Sequence, residues 1–541
     1  MKKIESLKKL EKSKKLNWFC LFLIILLSSF LSTFFFHGVV PSSGADTYLY
    51  SQYAYDVETK GIKSLLNRGV LSVKFILIYG IAFFYKIFGP SMFSSSLFTI
   101  LCFLFNIIVI YLIGKELYNE KAGLLAAFLF GIFPLAVTQA SLTSDNTPMA
   151  LFASLSIFFI VKALKENKKI FYFLSTFVAI IGVLCVWEEI VIMLPLIFIL
   201  LIDIKEKGLK NIKNYLFSLF GVMIGFLLIM LIGYIHSNDF LYVLEQAESS
   251  YDECWGDGCV DFPNFSIFKR YLEILLPFNF ISTIMQFFAT RDIDLVFSLI
   301  DPFKSIEKES AFLINYYFYF FIFFLLVLMF LKEKRIYIPA IWVFLSLLYL
   351  SFGTRSLKRY IMINVVYPRF TLIFFPGVML IVSFGIIKIL EISRSKIKRL
   401  LAILFSIFVL AFLFFESIYS VIFIEYSWYE ATYPFIQIGE FISSLPTNST
   451  VYREMDVPID VYAHYSQNFY NIQNLDCKTF IKRSYIVLKE NESFQKECNL
   501  SLAFVPRRIP KYWVAEVLNI TNKSLYKNIW DFQKYVVYSA Q

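Results

Sequence analysis

The stretch Asn17-Trp-Phe-Cys-Leu-Phe-Leu-Ile-Ile-Leu-Leu-Ser-Ser-Phe-Leu-Ser-Thr-Phe-Phe-Phe36, followed shortly by Pro41-Ser-Ser-Gly-Ala-Asp46-Thr-Tyr-Leu-Tyr50, decides how the rest of the chain is read. Its first part is a run of about twenty almost wholly apolar residues, the length a helix needs to cross a bilayer. Residues 1–15 ahead of it are rich in lysine, which the positive-inside rule keeps in the cytoplasm. The run is too long for a signal peptide and lacks a small-residue cleavage pattern, so it is expected to remain as a helix. Asp46 then emerges on the outer face, beside the membrane and among tyrosines. A carboxylate there suits proton abstraction from an acceptor held at the lipid boundary.

Across the 541 residues, 58% are hydrophobic and 19% aromatic, a balance that excludes a soluble globular protein. The net charge of +10 comes from cations in short loops between apolar runs, which read as topology determinants and not as a nucleic-acid surface. The expected fold is an all-α polytopic membrane protein of about eleven transmembrane helices. The spans fall at 17–36, 92–113, 122–140, 148–164, 170–186, 190–203, 215–234, 312–331, 336–352, 371–390 and 400–421. Leu71 to Phe88 is apolar enough to span, but counting it would put every later lysine-rich loop outside. It is expected to lie in the outer interface, with Lys74 and Lys86 snorkelling to the headgroups.

This threading makes residues 1–421 a membrane domain with outer loops 37–91 and 235–311. Residues 422–541 form a small extracytoplasmic α/β domain, with a helix-like stretch at 429–444 and strand-like pieces at 450–453 and 484–488. The N-terminus is placed in the cytoplasm of a multi-pass cell-membrane protein. Cys20, Cys102 and Cys185 fall within spans and read as free apolar residues. Cys254 with Cys259, and Cys477 with Cys498, lie outside and are disulfide candidates in an oxidising compartment.

Asp145, in the outer loop Ser141-Leu-Thr-Ser-Asp-Asn-Thr-Pro148, joins Asp46 on the same side of the membrane. Two converging carboxylates can divide the labour, one as base and the other orienting the acceptor or binding a metal. Each is also a preferred helix cap. Glu188 and Glu189, at the outer junction of two spans, are further candidates, and exposure at a hairpin tip is the bland alternative. Arg355, Lys358, Arg359 and Arg369 lie on the outer side, where the positive-inside rule disfavours cations. An anionic ligand near the membrane explains them, and Arg369 is the preferred phosphate contact because its planar fork donates two parallel bonds. No zinc-type ligand spacing and no phosphate-cradling glycine loop is present. No cofactor is called for, and a divalent metal is left open.

The order of Gly44-Ala-Asp46-Thr-Tyr-Leu-Tyr-Ser-Gln-Tyr-Ala54, Phe88-Gly89, Tyr111-Leu-Ile-Gly-Lys-Glu-Leu117, Ala122-Gly-Leu-Leu-Ala-Ala127, Ser144-Asp145 and Tyr367-Pro-Arg369-Phe resembles the GT-C-type integral membrane glycosyltransferases. Within them it is most similar to the dolichyl-phosphate-mannose protein mannosyltransferases and the bacterial lipid A aminoarabinose transferases. The resemblance covers the first 200 residues best. It implies an inverting transfer of a sugar from a polyprenyl (dolichyl) phosphate donor to an acceptor hydroxyl of a protein, lipid or glycan. Asp46 would be the base, Asp145 the second acid, and Arg369, with Lys358 or Arg359, the contact to the donor phosphate. The mannosyltransferases usually carry an Asp-Glu pair where this chain has Asp46-Thr47, so the resemblance fixes neither the acceptor nor mannose as the sugar. Residues 114–146 also resemble the catalytic subunit of oligosaccharyltransferases, but the Trp-Trp-Asp motif of those enzymes is missing. The rivals from other classes are a transporter or flippase for a lipid-linked sugar and an inactive scaffold.

Overall fold

The computed structural model describes residues 2–34, 46–66, 68–208, 212–246, 316–352, 368–393, 395–446, 449–454, 462–464, 466–472, 484–489, 498, 500–506 and 535–540. Its helices are α1 (Lys2–Phe34), α2 (Asp46–Lys60), α3 (Phe75–Phe88), α4 (Met92–Leu117), α5 (Glu120–Gly131), α6 (Pro134–Ser141), α7 (Asn146–Glu166), α8 (Lys169–Gly182), α9 (Met193–Lys207) and α10 (Ile212–Ser237). They continue as α11 (Tyr317–Phe330), α12 (Tyr337–Phe352), α13 (Phe375–Ile392) and α14 (Lys396–Ser443). Among the described residues seven helices are long and apolar enough to cross a membrane, and eight spans result if α5 and α6 count as one bent span. The 57° bend between those two falls at Pro134, which cannot donate a backbone hydrogen bond to the preceding turn. At two of the expected spans, α8 and α11 are apolar helices of 14 residues each. Such a helix is about 21 Å long, short of a hydrocarbon core of about 30 Å.

Antiparallel hairpins bring the lysine-rich loops to one end of the bundle, where they are cross-linked by charge. Lys162 and Lys165 of α7 pair with Glu116 of α4 at 3.3 and 2.7 Å, and Lys388 of α13 pairs with Glu333 at 2.5 Å. Close backbone approach sets the α4–α5 hairpin: a Cβ on Gly114 would lie 2.6 Å from the Gly123 Cα. The membrane core is a single apolar cluster running through α4, α5, α7, α11 and α13.

At the opposite end, α2 and α3 form a platform. Tyr50, Tyr53 and Ala54 bury against Phe75, Ile78, Ile81 and Tyr85, and Ile180 of α8 with Leu184 just beyond that helix closes the cluster. The chain leaves α3 through Gly89 in the left-handed region (φ 77°) and enters α4 through a capping box in which Ser91 and Ser94 bond each other's backbone amides at 3.1 and 3.0 Å. Lys74 precedes α3 and contacts the same end of the bundle at which α4 begins, so α3 returns to the face it started from. At 14 residues α3 is about 21 Å long, short of a hydrocarbon core of about 30 Å.

The long helix α14 runs without a break from its apolar half to the C-terminal sheet. Its last turns place Phe435, Ile438 and Ile442 against Val451, Val487 and Val537. The sheet comprises β1 (Thr450–Glu454), β2 (Asn468–Ile472), β3 (Tyr485–Lys489), β4 (Leu500–Phe504) and β5 (Tyr535–Ala540), in the order β2-β1-β3-β5-β4. β1 pairs parallel with β2 and β3, whereas β5 pairs antiparallel with β3 and β4. Met92 packs into the same cluster, and His464 Nδ1 bonds the Pro90 carbonyl at 3.2 Å, seating the sheet over the start of α4. Cys20, Cys102 and Cys185 are free. Cys498 is disulfide-bonded to a residue outside those described, where Cys254, Cys259 and Cys477 also lie.

Candidate active site

The site is assembled from segments far apart in the chain: the start of α2, the residue before α3, the loop before α7 and the turn before α13. Asp46 is the first residue of α2, and Arg369 Nη2 donates to its Oδ2 at 3.1 Å. Their side chains are 27% and 33% exposed, which puts this pair at the mouth of the site. One helical turn into α2, the Tyr50 hydroxyl donates to Asp145 Oδ2 at 2.9 Å. The Lys74 ammonium bonds the same carboxylate oxygen and donates to the Tyr50 hydroxyl at 2.6 Å. Lys74 also lies 5.1 Å from the centre of the Tyr50 ring, a cation–π contact. With side-chain exposures of 11% for Lys74 and 6% for Asp145, this second pair forms the floor.

The floor is rigidly held. Thr99 on α4 donates to the carbonyls of Ala140 and Leu142, both at 2.9 Å, and Thr143 bonds Ser95 at 3.0 Å. The Asn146 side chain donates to Asp145 Oδ1 at 3.0 Å and to Ser144 Oγ at 2.9 Å. The Asp145 side chain caps no helix amide, so the capping alternative does not account for its position. Burial alone would push the Asp145 carboxyl up. The Lys74 and Arg369 charges and the bonds from Lys74 and Tyr50 outweigh burial and hold it below the usual carboxylate range. Burial, followed by the Asp145 and Asp46 charges, drives the Tyr50 hydroxyl well above its ordinary value, so it remains a donor.

Lys74 was expected to snorkel to the headgroups. It turns inward instead, to the Asp145 carboxylate and the Tyr50 hydroxyl. Glu189 lies in the turn Trp187–Ile192 and is fully buried, which overturns exposure at a hairpin tip. Neither of its carboxyl oxygens has a hydrogen-bond partner among the described residues, and burial pushes the carboxyl well above the usual range. Gly182 makes room for it: a Cβ there would sit 2.5 Å from Glu189 Cγ. The Glu188 side chain, Arg355, Lys358 and Arg359 lie outside the described residues. Among those described, no three His, Cys, Asp or Glu side chains converge as metal ligands.

Residues 75–231 match the family model described as dolichyl-phosphate-mannose-protein mannosyltransferase. No curated protein sequence matches the chain. In fold, the chain is similar to ArnT from Cupriavidus metallidurans in the apo state, with a TM-score of 0.56 at 10% identity over 96% of each chain. It is also similar to the Archaeoglobus fulgidus oligosaccharyltransferase tethered to an acceptor peptide containing the NVT sequon, with a TM-score of 0.52 at 11% identity over 88% of this chain and 69% of that one. The complex of that enzyme with Zn and sulfate gives 0.50 at 12% identity over 83% of this chain, which spans 62% of its length. The fold is that of the GT-C type membrane glycosyltransferases.

Proposed function

We propose that this chain is a glycosyltransferase that moves a sugar from a polyprenyl-phosphate donor to an acceptor hydroxyl at the outer surface of the cell membrane. The observation that carries this reading is the convergence of two acid–base pairs, Asp46 with Arg369 and Asp145 with Lys74, at one end of the bundle. The family model in residues 75–231 supports the donor class. The lysine-rich loops at the opposite end support an outward-facing site with a cytoplasmic N-terminus.

The donor phosphate takes the Arg369 guanidinium, with Lys74 beneath, and frees the Asp46 carboxylate. Asp46 then accepts the proton of the acceptor hydroxyl as its oxygen attacks the anomeric carbon. The bond from that carbon to the phosphate oxygen breaks, and its electron pair leaves on the polyprenyl phosphate, with inversion at the carbon. Arg369 and Lys74 stabilise the charge that develops there, a contribution worth on the order of a hundredfold or more in rate per donor group. No three His, Cys, Asp or Glu side chains converge among the described residues, and Asp145 stays paired with Lys74, so no step is routed through a divalent metal.

The test supplies purified full-length protein with polyprenyl-phosphate sugars of several kinds and an acceptor mixture, and follows release of free polyprenyl phosphate together with labelled product. Release coupled to product supports the transferase. Movement of intact donor across a vesicle bilayer without release would support the flippase instead.

A further inference from the structure

At the basic end of the bundle, away from the site just described, α1, α5, α13 and α14 enclose a groove of about 560 Å³ with almost entirely apolar walls. We propose that it holds an acyl chain of an anionic glycerophospholipid from the leaflet at that end, with the lipid phosphate set between Lys121 and Arg399. The inference is independent of the transfer chemistry.

Two helix faces carry the argument. On α5, Lys121 lines the groove and is followed at three, four and seven residues by Leu124, Leu125 and Phe128, which line it too. On α14, Arg399 stands one turn ahead of Ile403, with Ile407 and Leu410 following along the groove. Residues at these spacings share one side of a helix. On these two of the four walls a cation precedes the hydrocarbon, Lys121 in the groove lining itself and Arg399 one turn before it, the amphipathic order of a phospholipid read from headgroup to tail.

The two cations also differ from their neighbours. At this end Lys115, Lys162, Lys165 and Lys388 are each paired with a glutamate. Lys121 and Arg399 are exposed and make no ion pair among the described residues. Basic positions between membrane helices on this face suit anionic headgroups. The groove wall further contains Ser406, whose hydroxyl is buried without a hydrogen-bond partner among the described residues.

The experiment measures thermal unfolding of the full-length protein in detergent with added phosphatidylglycerol or phosphatidylcholine, since a ligand bound only by the folded state raises the midpoint. Phosphatidylglycerol should raise the midpoint by several degrees more than phosphatidylcholine. That difference should vanish in Lys121→Glu/Arg399→Glu, shrink in Leu124→Trp, which fills the groove, and persist in Lys169→Glu, a charge reversal at the same end outside the groove. The milder Lys121→Gln and Arg399→Gln should each reduce it if the double variant does not fold. Equal stabilisation by both lipids in the wild type, a preference that survives removal of both cations, or the same loss in Lys169→Glu would overturn the proposal.

Discussion

Lys74 shows how one side chain can decide the character of a site. Its ammonium is the chief counter-charge to a carboxylate that is nearly closed off from water. Replacing it by Met would leave the buried Asp145 charge with only the more distant Arg369 to balance it, and breaking a buried pair in this way costs about 3–5 kcal/mol. Lys74→Met should therefore unfold well below the wild type in a detergent melting series, whereas Lys86→Met, at an exposed position, should not. The same pair predicts a pH dependence. The folded-state pKa of Asp145 is depressed below an unfolded value of about 3.9, so its stabilisation is complete above that value and disappears as pH falls through the lower, folded one. The melting advantage of wild type over Asp145→Asn should stay flat from about pH 7 to pH 5 and fall away only below about pH 4. A loss already under way near neutrality would show that Lys74 does not hold the carboxyl down.

At the scale of elements, the bundle depends on close approach where glycines face backbone. A valine at Gly114 would drive its Cβ into the Gly123 backbone, and small residues are what allow membrane helices to meet so closely. Gly114→Val should lower the yield of monodisperse protein sharply, while Gly208→Ala, whose glycine has open space around it, should do so far less despite its positive φ. Sequence patterns disclosed the order of these helices well, because long apolar runs and lysine-rich loops are strong signals. Asp46, Asp145 and Arg369 were legible for a related reason: charged residues stand out beside apolar spans. Lys74 and Tyr50 were not. Lys74 opens an apolar segment and looks like an ordinary interfacial lysine, and Tyr50 is one of several tyrosines on α2 with nothing local to distinguish it. Their roles arise from the bend at Pro134 and from the Ser95 and Thr99 contacts that fix the Asp145 loop, tertiary features with no local pattern. Glu416, on α14, was hidden in the same way; its carboxyl oxygens are buried without hydrogen-bond partners among the described residues.

Across the whole molecule, charges are sorted by end. Lysine–glutamate pairs tie the hairpin loops together at one, and at the other the acids meet cations supplied by distant segments. The sheet, carried on α14, rests on the start of α4 beside that second end. In the proposed mechanism Arg369 and Lys74 supply the positive charge a leaving phosphate needs, so transfer should proceed undiminished in the presence of a metal chelator; a strict requirement for a divalent ion would mean that the site recruits one. The most direct measurement is single-turnover transfer from a polyprenyl-phosphate sugar by wild type and by Asp46→Asn, with donor binding followed in parallel. Asp46→Asn should bind donor at least as well, since Arg369 loses its competing carboxylate, and transfer the sugar roughly 10²–10⁴-fold more slowly, the usual loss for a general base. Transfer at the wild-type rate in Asp46→Asn would contradict that role.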